Sequence, residues 1–212
     1  MQNTNALDWF EIIKVGAEIL LSSVAIVISI IAIKQTKKQT EFSNKQQLFD
    51  RRIGSYYLIF DLLDTYFRLK DMMNERLDLN FNCRLILRAL MENDVLRSII
   101  WTVDKPTDKN ANRIFEEKLY WLRKQADSMS LLFDNDLINN ISRYVILYKD
   151  LLFWLQIYNS DCERTKGTEF NKEYKEMVKE RILGISKDMN DLYSRIKNDK
   201  ELSELKKTIV LK

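Results

Sequence analysis

Apolar positions along the chain fall into two unlike patterns. Residues 12–33 read IIKVGAEILLSSVAIVISIIAI, with no charge after Glu18 and apolar side chains around the whole circumference of a helix. At 1.5 Å per residue these 22 positions extend roughly 33 Å, enough for a hydrocarbon core of about 30 Å. A buried globular helix of this character needs protein on every side, which a domain this small supplies poorly. A cleaved signal peptide needs a basic start and a small-residue cleavage site. Here Asp8 and Glu11 precede the run, and no such site leads into a mature domain. The expectation is one retained transmembrane helix.

Beyond this run, apolar positions recur at alternating spacings of four and three, with charged residues between them. Phe42, Gln46, Phe49, Ile53, Tyr56, Phe60, Leu63 and Phe67 predict one long amphipathic helix ending near Glu75. Nothing in residues 34–43 breaks a helix, so the membrane helix is expected to continue into it without a flexible linker. A second helix is predicted over residues 82–100, with Leu85, Leu90, Leu96 and Ile99 as core and a bend near Asn93. Residues 104–112 contain Pro106, the only proline, and read as a loop. Phe115, Leu119, Leu122, Ala126, Met129 and Phe133 mark the third helix, and residues 134–136 a turn and N-cap.

The following helix is the most apolar of the domain and is therefore expected to be central. Leu137, Ile141, Tyr144, Tyr148, Leu151, Leu155 and Tyr158 form one stripe, which Val145, Leu152 and Trp154 widen. Residues 160–168 read as a polar loop. The last long helix, over 169–198, presents Phe170, Tyr174, Val178, Ile182, Ile185, Met189, Leu192 and Ile196, and a short helical tail follows. The predicted fold class is all-α: one N-terminal transmembrane helix continuing into a cytoplasmic bundle of about five helices, mostly antiparallel because the joining loops are short.

Composition supports long helices over sheets. Four glycines and one proline leave little material for tight turns and bulges, and 46% hydrophobic residues in 212 suffice for one core. The absence of histidine removes Ser-His and Cys-His nucleophile activation, histidine general-base chemistry and ordinary histidine-containing zinc sites. Cys83 and Cys162 lie far apart, outside any metal-ligand spacing, and read as free thiols in a reducing compartment. No glycine-rich phosphate loop follows a strand.

Asp61 with Asp64, and Asp188 with Asp191, are each spaced i, i+3, yet di-metal bundles combine Glu with a Glu-x-x-His pattern that this chain lacks. They read as solvated helix charge. Met72, Met73, Trp101, Trp121 and Trp154 read as core. The expectation is a non-enzyme with no catalytic residue, no metal ligand and no cofactor.

Charge distribution sets the predicted topology. Lys34, Lys37, Lys38, Lys45, Arg51 and Arg52 follow the apolar run, whereas Lys14 alone among side chains is basic before or early within it. By the positive-inside rule the bulk of the chain is expected in the cytoplasm and the N-terminus outside, with Trp9 and Phe10 as an interfacial anchor. This divides the chain into an extracytoplasmic segment (1–11), a transmembrane helix (12–33), a basic juxtamembrane helical connector (34–47) and a cytoplasmic bundle (48–212). The expected location is a bacterial inner membrane. Lys34, Lys37, Lys38 and Lys45 are expected to face anionic headgroups and fix topology.

Within the membrane run, Glu18, Ser22, Ala25, Ser29 and Ala32 are spaced four, three, four, three and share one helix face. Small residues there let a second helix approach, and seryl hydroxyls can bond across the contact, so this is the predicted self-association face. Glu18 lies about 9 Å inside the outer edge by helix rise and is expected to snorkel or to pair with Lys14 one turn earlier.

Residues 48–56, Leu-Phe-Asp-Arg-Arg-Ile-Gly-Ser-Tyr, resemble the L-F-[DE]-[KR]-R-x-x-x-Y start of the helical region in uncharacterised bacterial single-pass proteins. Gly54 stands where those proteins usually carry a larger residue. Some membrane-anchored helical proteins of this build, abortive-infection proteins among them, belong to anti-phage defence, and the resemblance implies that setting. Asp50, Arg51 and Arg52 form either a helix-surface charge network or a partner contact.

The leading expectation is a non-enzymatic, membrane-tethered interaction module, a self-associating sensor or effector in bacterial anti-phage defence. Its partners would be membrane lipids and either further copies of itself or another membrane or defence protein. Net charge is only +3, from 34 basic and 31 acidic residues, which disfavours nucleic acid as partner. A membrane-anchored nucleic-acid-binding protein using the basic juxtamembrane helix is the alternative, and a membrane-permeabilising effector a further one.

Overall fold

The computed structural model describes residues 4–75, 79–132, 136–164 and 172–198, all of them helix or helix-connecting turn. The elements are α1 (Thr4–Glu75), α2 (Leu79–Leu90), a 3₁₀ helix (Arg97–Asp104), α3 (Lys109–Leu132), α4 (Asp136–Arg164) and α5 (Lys172–Asn198). The chain divides into two compact units, Met1–Leu48 and Phe49–Lys212. The first is helical throughout its described length, and none of its residues whose exposure is described, from Trp9 onward, is buried.

The second unit is a helical bundle with one core. The α4 helix packs against α2, α3 and α5, the central place that its broad apolar surface predicts. Ile141, Tyr144, Val145, Tyr148, Leu151, Leu152 and Leu155 of α4 are fully enclosed. On α3 and α5 the predicted stripes are the buried ones, from Phe115 to Met129 and from Val178 to Ile196. The side chains of Met72, Met73, Phe133, Leu137 and Phe170, residues 134 and 135 of the predicted turn and the tail after 198 fall outside what is described, whereas the backbone of Asp136 already belongs to α4.

The buried face of α1 is rotated from the predicted one and shares only Leu63 with it among the buried residues described. Ser55, Leu58, Ile59, Leu62, Leu63, Thr65 and Tyr66 enter the core, whereas Phe60 stays 53% exposed and Phe67 40%. Alternating four and three spacing fits neighbouring stripes on one helix equally well, and here the face carrying aliphatics at 58, 59, 62 and 63 packs closest. Leu85 of α2 likewise points outward, while Cys83, Ile86 and Leu87 point in.

The predicted second helix is in fact two. The α2 helix stops at Leu90, and buried Asn93 replaces the helical hydrogen bonds that end there. Its Nδ2 donates to the Leu90 carbonyl at 2.9 Å, and its Oδ1 accepts the Leu96 N–H at 2.9 Å. The Tyr148 hydroxyl of α4 also donates to the Leu90 carbonyl. One orphan carbonyl of a helix C-terminus is thus satisfied twice.

The loop after the 3₁₀ helix is shorter than predicted. Asp108 caps α3, its Oδ1 accepting the Ala111 N–H at 2.8 Å, so residues 109–112 are already helical. The α4 helix, in turn, continues to Arg164 through positions predicted as loop. Polar residues at its end bind the preceding loop. Asn159 Nδ2 donates to the Val103 carbonyl at 2.9 Å, and Ser160 Oγ to the Pro106 carbonyl at 2.9 Å. The same Pro106 carbonyl accepts Asn112 Nδ2 at 3.0 Å.

Asp104, at the end of the 3₁₀ helix, is held by Arg84 and Arg88 of α2, with contacts of 2.6 to 3.0 Å. Partial burial pushes its carboxyl up, but hydrogen bonds and charge from the two arginines prevail and hold it below the usual range.

Candidate functional site

The helix in residues 4–48 follows from composition, since β-branched and aliphatic residues with no proline leave the helix ladder intact and Gly16 is its only glycine. Its side chains are exposed where described: Ile19 is 62% accessible, Leu20 69% and Leu21 71%. This is the one helix among the described residues long and apolar enough to cross a membrane. None of its most apolar stretch is buried within the protein.

Glu18, Ser22, Ala25, Ser29 and Ala32 are all exposed on this helix. Their spacing sets them along one face. The Ser29 hydroxyl donates to the Ala25 carbonyl at 2.8 Å, as Ser23 does to Ile19 at 2.8 Å. Each hydroxyl is satisfied by its own helix and retains a lone pair for a bond from outside. Lys34, Lys37, Lys38 and Lys45 are exposed as well.

Asp50, Arg51 and Arg52 are treated differently from one another by the fold. Asp50 and Arg51 are exposed, whereas Arg52 is half-buried and its Nε donates to the Leu132 carbonyl at 2.9 Å. Leu132 is the last residue of α3. This hydrogen bond ties α1 to α3.

The four aspartates form no common site. Asp64 pairs with Arg68 at 3.1 Å, one turn on, and Asp188 and Asp191 are exposed on α5. Asp61 instead accepts the Asp94 N–H at 2.9 Å and secures the turn that follows α2. Among the described residues no group of three or more His, Cys, Asp or Glu side chains is placed to hold a metal ion. Cys83 and Cys162 are free thiols, and burial pushes both above the ordinary thiol range. The Cys83 thiol donates to the Leu155 carbonyl at 3.2 Å, which makes it a core residue and not an accessible nucleophile.

Sequence reasoning missed a recess in the second unit, enclosed by residues 54–61 of α1, the turn at Asp94 and Val95, and Trp121 and Gln125 of α3. Its members were legible only singly, Trp121 as core and Asp61 as solvated charge. Which of them meet depends on the rotation of α1, and periodicity alone did not fix that rotation.

These features define an all-helical protein with one helix able to span a membrane and a helical bundle. No family model matches the chain, and neither curated proteins nor solved structures show a significant match to it.

Proposed function

We propose that the chain is a single-pass protein of a bacterial inner membrane, with its N-terminus outside and residues 48–212 in the cytoplasm. It works there as a non-enzymatic interaction module. The observation that carries this reading is the exposed apolar surface of residues 12–33, which is unstable in water and of which none of the most apolar stretch is buried among the described residues. The lysines at 34, 37, 38 and 45 support the orientation.

Self-association runs through the face of Glu18, Ser22, Ala25, Ser29 and Ala32, whose small side chains allow close helix approach. The resemblance at residues 48–56 supports the role of a sensor or effector in anti-phage defence. Crosslinking in native membranes tests the assembly. Glu18→Leu together with Ser22→Leu is expected to reduce the crosslinked oligomer severalfold at equal expression; an unchanged oligomer would remove this face from the contact.

A further inference from the structure

The recess beside Trp121 encloses about 420 Å³, within the range of about 300–1,000 Å³ typical of small-molecule sites. Three of its lining residues are aromatic. Tyr57 is 67% exposed and Phe60 53%, and half-buried Trp121 faces the same space from α3. Lining the same recess are two carboxylates, Asp61 and Asp94, and no basic side chain.

Among the residues that line the recess no cation balances this acid pair. Among the described residues neither Asp61 nor Asp94 forms an ion pair, although Asp64, one turn along α1, takes Arg68. Burial raises the Asp61 carboxyl above its ordinary range, and the charges of Asp94 and Asp64 add to this against the backbone N–H groups of Asp94 and Val95. One of these aromatic rings already draws a cation: Lys118 Nζ lies 4.2 Å from the centre of the Trp121 ring.

We propose that this recess binds an organic cation, a small molecule bearing an ammonium group, seated against Tyr57, Phe60 and Trp121 with Asp61 and Asp94 balancing its charge. Aromatic faces attract ammonium ions through their quadrupoles, and carboxylates at the same site add Coulombic attraction and hydrogen-bond acceptors. A neutral apolar ligand would cover the two acids without compensating them. A bare metal ion would find two carboxylates but no third charged donor, and the aromatic walls would contribute nothing to its coordination. The site lies wholly within residues 54–125, so it stands apart from the membrane reading and supplies an input for the module.

Calorimetric titration of the full chain in mild detergent, at fixed ionic strength, tests the assignment with choline, spermidine and tetramethylammonium chloride as probes. Saturable binding of at least one probe is expected. It should weaken by about tenfold in Trp121→Leu and in Asp94→Asn, each the loss of one favourable contact of about 1.4 kcal/mol. Asp94 is exposed and tolerates the change without unfolding, and Asp64→Asn, which alters an acid outside the recess, should leave affinity unchanged. The uncharged choline isostere 3,3-dimethyl-1-butanol should not bind. No saturable binding of any probe up to ~10 mM would overturn the proposal. So would equal binding of the neutral isostere, or affinity unaltered in Asp94→Asn.

Discussion

Asn93 sits just past the end of α2, where the N–H groups of Met91 and Glu92 serve the Leu87, Arg88 and Ala89 carbonyls, and its amide donates to the remaining Leu90 carbonyl while accepting the Leu96 N–H. The side chain is 5% exposed, so solvent cannot replace what it supplies. Asn93→Ala leaves the Leu96 N–H without its acceptor and is expected to lower stability by about 2 kcal/mol, read from urea unfolding of the full chain in mild detergent. A change below about 0.5 kcal/mol would mean that the turn holds through its backbone alone. The bend here was legible in the sequence, because asparagine readily leaves helical geometry. The second hydrogen bond to the Leu90 carbonyl was not, because Tyr148 reaches it from 58 positions further along the chain.

Among the elements, α4 and α5 were the most readable, since a broad apolar stripe fixes both the helix and its buried face. The α1 helix was legible as a helix but not in its rotation. Phe60 and Phe67 fit the repeat as well as Leu62 and Tyr66 do, and only packing against the rest of the bundle separates the two sets. Leu62→Ala is therefore expected to cost about 2–5 kcal/mol, and Phe60→Ala under about 1 kcal/mol, in the same unfolding measurement. The reverse order would return α1 to the face that spacing suggests. The end of α4 was misread for a related reason: residues 160–164 have loop composition, yet they continue the helix, and Ser160 binds the Pro106 carbonyl as Asn159 before it binds that of Val103.

For the molecule as a whole, the division into an apolar N-terminal helix and a helical bundle was readable from the start, because length, lack of charge and all-round apolarity need no tertiary context. The recess beside Trp121 needed three elements brought together, and no pattern in a single segment signals it. What the molecule does depends on where residues 12–33 reside. At about 25 cal/mol per Å² of apolar surface, transfer of so many exposed aliphatic side chains out of water outweighs the cost of the single carboxylate at Glu18. Alkaline carbonate extraction of membranes containing the full chain measures this directly. The chain should remain in the pellet and leave it only with detergent; recovery in the aqueous supernatant as a detergent-independent monomer would contradict a bilayer-spanning helix.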